Sequence, residues 1–393
     1  MGFKDAFLLS ALGAFILAAT GGCRQQEEPP PPLEIQAGQF TSAQACGRCH
    51  RDIYSAWQQS LHALAWTDPL FQASFQEAVE LGGEQVRKLC LGCHTPSVVL
   101  SQDYAVAQDL TREGVNCDFC HSLTGTDLSQ PDHPFALQVS NVKYGPVQQA
   151  ASTGHAVAYS DFFNSSLLCA GCHEFEGPHG VQLLSTYSEW QEYTRRGGDQ
   201  SCQQCHMPLV MAHIVDPKVK RIQGAFVNLH TMPGGHSLDQ LSRSLRLRIT
   251  QMESAPGGLR VRVNLTNTGA GHAVPTGMPT RKLFLRVEAE TEDGQKFHQE
   301  KVYEKVVADA QGNEIRRDSR VFSQAVSILR DNRIAPHEER DEEFLLPVPA
   351  GENASVTVSL TYFYSPLNQA ETEKRVQFAS LTRKLVRRWQ RSK

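Results

Sequence analysis

Apolar and polar positions follow two different periods along this chain, with the change near residue 240. In the first part the spacing is helical: Ile53, Trp57, Leu61 and Leu64 recur at helical intervals behind Thr41 or Ser42 as a cap. Residues 98–110 and the run opening Thr186-Tyr187-Ser188-Glu189-Trp190 predict further helices, with loops rich in Ser, Pro, Gly and Asp between them. In the second part the alternation is strict. Leu245-Arg246-Leu247-Arg248-Ile249 and Leu259-Arg260-Val261-Arg262-Val263-Asn264-Leu265 read as half-buried strands, and residues 283–290, 301–307, 344–348 and 356–364 add four more, with turns at 292–294 and 311–313. The predicted fold class is α+β: a mainly helical, loop-rich region followed by an antiparallel sandwich of immunoglobulin-like type. The last stretch, 371–393, reads as a helix or tail that becomes basic through Arg383, Lys384, Arg387, Arg388, Arg391 and Lys393, a solvated end or a contact for acidic partners or anionic lipid.

The N-terminus adds a targeting signal. Lys4 precedes an apolar run over residues 6–19, too short to cross a bilayer, and small residues Thr20-Gly21-Gly22 lead to Cys23. This predicts a signal peptide over 1–22 and an acylated Cys23, with an ordinary cleaved signal or an uncleaved anchor as the alternative. Residues 23–39, with Pro29, Pro30, Pro31 and Pro32, form a tether; residues 40–238 make one domain, 239–366 the β-sandwich and 367–393 the basic end. A net charge of -4 and a pI near 6.4 give no basic field, which excludes nucleic acid as an expected partner.

Of eleven cysteines, Cys23 alone stands outside a repeated pattern. That pattern is Cys46-Gly47-Arg48-Cys49-His50, and it returns as Cys90, Cys93 and His94; Cys117, Cys120 and His121; Cys169, Cys172 and His173; and Cys202, Cys205 and His206. Two thiols three positions apart share one face of a helical turn, where both reach the vinyl groups of one porphyrin, and the adjacent histidine meets the iron. Five covalently bound c-type haems (heme c) are expected. Zinc ribbons also use Cys-x-x-Cys, but they need two pairs per metal and five is odd. With 15 histidines in 393 residues, five chance successions have a probability on the order of one in ten million.

Other histidines offer second axial ligands. On a continuous helix His62 would lie about 18 Å from His50, too far to share its iron, so it is a candidate for a different haem. Gly154-His155 is a second candidate, and the Gly/Pro-rich run Leu229-His230-Thr231-Met232-Pro233-Gly234-Gly235-His236 supplies two more. His133, in a polar loop, is weaker, and Met211, Met232 and Met278 are secondary to the abundant histidine. Between Cys46 and Val210 too little chain remains for an ordinary apolar core beside five porphyrins, so the macrocycles must form much of it.

From about residue 46 to 173 these residues resemble cytochrome c-554 of the ammonia-oxidising bacteria: Cys-Gly-Arg-Cys-His-Arg running into Trp57 and Ser60-Leu61-His62-Ala63, then Cys-Leu-Gly-Cys-His, Gly-Val-Asn-Cys-Asp-Phe-Cys-His and Cys-Ala-Gly-Cys-His. In that family the histidine matching His62 is a distal ligand to another haem. The resemblance implies serial electron transfer through mostly bis-histidine haems, with one haem lacking a distal ligand; carried over, that is the haem on His94. The family has a histidine five positions before its fourth motif where this chain has Asn164, and His155 is the candidate replacement. The fifth motif, running Cys-Gln-Gln-Cys-His-Met-Pro, and the Gly-His-x-x-Pro-Thr-Gly loop around His272 are instead similar to longer multihaem cytochromes that add a β domain.

The expected protein is an exported pentahaem cytochrome, on the periplasmic side of a bacterial membrane, relaying electrons between redox proteins and held to lipid through Cys23. Its proximal ligands are His50, His94, His121, His173 and His206, and its distal set is His62, His155, His230, His236 and His272. The alternative is an oxidoreductase acting on nitric oxide, hydroxylamine or nitrite at one five-coordinate haem. Every motif ends in histidine and no acid-base constellation surrounds one, which favours the carrier.

Overall fold

The structure, a computed structural model, describes residues 36, 38–131, 133–221, 223–365 and 374–386. The expected signal peptide, Cys23, nearly all of the tether, and Arg387, Arg388, Arg391 and Lys393 lie outside the described residues. The described residues belong to one compact unit. No helix among the described residues is long and apolar enough to cross a membrane.

Short helices carry the cysteine motifs. Helix α1 (Ala43–Gly47) holds Cys46 and α2 (Arg51–Trp57) follows it; α3 (Pro69–His94) ends on the second motif; α4 (Val98–Ser101) and α5 (Asp109–Arg112) lead to α6 (Cys117–Cys120). Then come α7 (Leu167–His173), α8 (Thr186–Arg195), α9 (Cys202–His206), α10 (Leu238–Ser244) and, among the later strands, α11 (Asp318–Gln324). Polar side chains start the motif helices where the backbone would otherwise leave N–H groups unpaired. Ser42 Oγ accepts from the Ala45 N–H, Asn116 Oδ1 accepts from the Phe119 N–H, and Ser201 forms a reciprocal capping box with Gln204. Asp68 caps α3 ahead of Pro69, and Gly83, at φ 65°, kinks that helix.

Four two-stranded sheets tie off the connections: β1 (Leu123–Thr126) with β2 (Phe135–Leu137), β3 (Val142–Gly145) parallel to β4 (Ala156–Tyr159), β5 (Glu174–Glu176) with β6 (Gln182–Ser185), and β7 (Leu209–Ala212) with β8 (Ala225–Asn228). The later part is two antiparallel sheets. One has the order β14 (Glu339–Leu346), β10 (Gly258–Asn267), β9 (Leu245–Ala255); the other runs β13 (Ser327–Asp331), β12 (Lys296–Ala308), β11 (Lys282–Thr291), β15 (Ala354–Ser365), β16 (Lys374–Leu385). The period-two pattern becomes the core directly. Leu259, Val261, Val263 and Leu265 on β10, Leu283, Leu285 and Val287 on β11, and Val356, Val358 and Leu360 on β15 bury into one apolar cluster. Before residue 240 the apolar clusters are small, Phe75, Leu91, Val98 and Val106 in one and Phe40, Phe119 and Leu123 in another. That part has little protein core of its own.

Three expectations are corrected. The helix after the first motif stops at Trp57, and residues 58–67 are turns in which Leu61 and Leu64 are exposed. Residues 98–110 do not form one helix: Gln102 and Val106 at positive φ separate α4 from α5. The chain end is a strand as far as residue 385, not a helix, because β15 offers it a free edge along its whole length and Phe378 then reaches the core.

The two parts are joined by polar and apolar contacts. Glu77 on α3 receives Ser319 Oγ at 2.7 Å and pairs with Arg317 at 2.8 Å, while Val181 and Leu183 pack with Val307, Ile315 and Val321. Buried Lys305 on β12 donates from Nζ to the Gln182 carbonyl at 2.8 Å and Ser185 Oγ at 3.1 Å, across to β6. Burial, helped by the nearby Arg333 charge, lowers its pKa to about 8 against the pull of Glu189, Asp331 and Glu174. The unfolded chain holds this proton up to about pH 10.5, so between pH 8 and 10.5 unfolding takes up a proton and stability rises with pH. Compared with Lys305→Met, the wild type should therefore gain stability across that range. Thermal melts of both proteins check it, and parallel curves would contradict it.

Candidate functional site

None of the ten motif cysteines is in a disulfide, and all are half-buried on or beside their helices. They meet across motifs. Cys46 lies beside Cys117, Cys93 beside Cys172, and Cys169 beside Cys202, which sets the first motif against the third, the second against the fourth and the fourth against the fifth. Burial pushes the Cys90 and Cys120 thiols up to about 12. Among the described residues no group of three or more His, Cys, Asp or Glu side chains is gathered to hold a metal ion, so a zinc ribbon finds no ligand set here.

The motif histidines are oriented from outside their own helices. His50 Nδ1 meets the Ile214 carbonyl at 2.5 Å, His94 that of Ala65 at 2.9 Å, His121 that of Tyr144 at 2.6 Å and His206 that of Pro233 at 2.6 Å. A carbonyl only accepts, so each Nδ1 must carry the proton and each Nε2 keeps its lone pair. That is the tautomer a metal needs, held by the kind of outer partner metal-binding histidines use. Burial lowers the pKa of His50, His94, His121 and His173, and takes His206 to about 4, so the rings are neutral.

The expected second ligands fall into three groups. His155 lies 6.0 Å from His50 between ring centres, His62 lies 6.3 Å from His173, and His272 lies 6.3 Å from His206 with the rings 15° from parallel. A metal–nitrogen bond of about 2 Å, with about 1.2 Å more to each ring centre, separates two trans imidazoles by roughly 6.4 Å. The spacing of these three pairs suits one iron between each. His155 and His272 again turn Nδ1 to carbonyls, of Ala156 and Ala273, both at 2.9 Å. His62 is half-buried, its pKa lowered to about 3 by burial and then by His173, and its Nδ1 lies 2.7 Å from Met232 Sδ. Its turn is held by the third motif: the Val115 N–H donates to the His62 carbonyl at 2.9 Å, and Gly114, at φ 69°, comes so close that a Cβ would stand 2.5 Å from that oxygen.

His230 forms the second group. It gives Nδ1 to the Asn228 carbonyl at 2.6 Å, and burial followed by the nearby His121 lowers its pKa to about 4. His236 and His94 form the third. His236 is lowered mainly by burial and feels Asp68, which also acts on His94, but His94 itself lies flat on Phe71, ring centres 3.7 Å apart and 9° from parallel. No ring contact joins His94 to a second histidine among the described residues.

The remaining candidates stand elsewhere. His133 lies in the loop between β1 and β2, Met211 is exposed on β7 and Met278 packs against an apolar cluster. Residues that sequence reasoning missed are those that orient the rings. Phe71, the carbonyl acceptors and Glu189, which grips the loop of His272, carry no motif; for Phe71 the only available signal was its position in the first turn behind the Asp68-Pro69 helix start.

The sequence model of a family described as cytochrome c554 and c-prime matches residues 45–122, which takes in the first three motifs. No curated protein sequence matches the chain. Among solved structures, a penta-heme cytochrome c552 from Thermochromatium tepidum is similar at 24% identity and a TM-score of 0.72, over 89% of this chain and 100% of that one. The likeness establishes a shared fold that takes in the helical part and the β sheets together. The repeated Cys-x-x-Cys-His motifs on oriented histidines and the family match over three of them support a multihaem c-type cytochrome related to the cytochrome c554 family.

Proposed function

We propose that this chain is an exported carrier of five haems that passes electrons between redox proteins, held to a membrane through an acylated Cys23 on the periplasmic side. The observation that carries the reading is the set of three histidine pairs with ring centres 6.0–6.3 Å apart, whose two members would hold one iron from both sides. Haem supplies one reversible electron per iron when bound. The chain supplies placement. Cys46 against Cys117, Cys93 against Cys172 and Cys169 against Cys202 keep neighbouring attachment points together, and His155, His62 and His272 stand across from His50, His173 and His206. In this reading His50 pairs with His155, His173 with His62, His206 with His272, His121 with His230, and His236 is the remaining candidate for His94.

The later part is read as an immunoglobulin-like sandwich. Its orders β9-β10-β14 and β13-β12-β11-β15-β16 correspond to the A-B-E and C″-C′-C-F-G strands of that fold, which supports the assignment. Its role here is to deliver His272 to the fifth motif.

A second reading has its own observation. His94 stacks on Phe71 and has no histidine ring facing it, so an iron there would keep a position open for a small ligand such as nitric oxide. Low-temperature EPR of the oxidised protein, repeated with nitric oxide after reduction, separates the two. Low-spin signals alone and no adduct are expected of five closed haems; a high-spin signal that disappears on ligand binding would move the function to chemistry at His94.

Two variants test the rest. His62→Ala should turn one haem high-spin, and proteolytic mapping should place it on the Cys169–Cys172 peptide; a change at Cys46–Cys49 instead would break the pairing. Cys23→Ser should move the protein from the membrane fraction to the soluble periplasmic fraction, and unchanged membrane association would refute lipid anchoring.

A further inference from the structure

The loop bearing His272 is held by one carboxylate from the other part of the molecule. Glu189, on α8 between the fourth and fifth motifs, receives the Ala273 N–H at 3.1 Å and the Thr276 hydroxyl at 2.7 Å on Oε2. Its Oε1 receives the Ser185 hydroxyl at 2.6 Å and pairs with Arg333 Nη1 at 2.7 Å. Both oxygens are thus fully used, and the site is nearly closed to solvent, with side-chain exposures of 12% for Glu189 and 8% for Arg333. Arg333 in turn is clamped by Asp331 at 2.8 Å and donates to the Pro275 carbonyl at 3.3 Å. The adjacent residue, Ile334, exchanges both backbone hydrogen bonds with Val274, and Asn267 Nδ2 donates to the His272 carbonyl at 2.9 Å. Burial alone would raise the Glu189 pKa, but Arg333, Ser185 and Thr276 outweigh it and the carboxyl is held low.

Asn267, the Val274–Ile334 pair and Arg333 tie the loop within its own part, while from the helical part Glu189 is its charged anchor, beside the Thr186 hydroxyl at 3.0 Å from that of Thr276. The loop contains Gly269, Gly271 and Gly277, and the last stands at φ 80° with open space around it. We propose that Glu189 is a positioning residue for His272: by pinning the N–H next to the histidine and the hydroxyl of Thr276, it holds the ring at bonding distance opposite His206. The inference rests on His272 being the ligand trans to His206. A carboxylate suits the task because a charged acceptor makes hydrogen bonds about twice as strong as a neutral one, and because Arg333 removes the cost of burying it unpaired.

The test uses the full chain with its haems, counted by mass and by pyridine haemochrome, and reads spin state rather than activity. His272→Ala should convert one haem from low-spin to high-spin, and Glu189→Ala should convert the same one while the haem count stays unchanged. Glu189→Asp, which keeps the charge, should restore part of the low-spin signal. Thr276→Val removes one donor with the volume kept, and it covers the case in which the alanine variant does not fold. It should stay low-spin at rest but bind cyanide at that haem about five- to tenfold faster. If His272→Ala produces a high-spin haem and Glu189→Ala and Thr276→Val leave spin state and cyanide binding as in the wild type, Glu189 is interface glue and the proposal is overturned. If His272→Ala itself changes nothing, the ligand assignment fails and takes the proposal with it.

Discussion

A neutral imidazole has one N–H to give, and in this protein it goes to a backbone carbonyl. His50, His94, His121, His155, His206, His230 and His272 all spend Nδ1 in this way. Much of the architecture before residue 240 follows from placing those acceptors. Tyr144 belongs to β3 and also donates its N–H back to the His121 carbonyl, Ile214 follows β7, and Pro233 follows β8. The small two-stranded sheets are therefore the scaffold that aims the rings. A region with so little apolar core cannot rely on side-chain packing for this, and directional hydrogen bonds take over the work.

The later part runs on the opposite principle. Its sheets close on a continuous apolar cluster, and its stability is the ordinary consequence of burying Leu, Val and Ile on alternating positions. Its contribution to the site is a single loop, but the junction that carries this loop is expensive in polar groups. Lys305, Arg333, Glu189 and Asp331 are all drawn into it: Arg333 and Glu189 take partners from both sides, Lys305 reaches across to β6, and Asp331 braces Arg333. A junction of this kind is unforgiving of misplacement, since a small shift strands a buried charge.

Legibility in the sequence followed the range of the interaction. The ten thiols and five adjacent histidines are bound by local covalent chemistry, so their spacing alone announced them. Strands β9, β10, β11 and β15 were readable because each buries one face, and strict alternation records that. The pairing of His50 with His155 or His206 with His272 was not readable, because it is set by where loops meet in space. His62 shows the two cases together: its ring lies near His173, and it does so from a turn pinned by Gly114 and Val115, not from the helix that the spacing argument assumed. The edge strand over 374–385 was hidden for a similar reason, since a basic sequence of mixed propensity became a strand only because β15 stood open beside it.

The ring pairs also have a bearing on how the molecule can be made. His62 precedes the motif it faces, His155 follows its partner across two intervening motifs, and His272 lies beyond all five. Attachment of a haem to a Cys-x-x-Cys pair would need only a few residues of exposed chain, but no such ring pair is complete until distant segments have been made. Maturation therefore divides into an early phase of local bond making on a slack chain and a late phase of global closure. The loop bearing His272, made after all five motifs, would complete the last of these pairs.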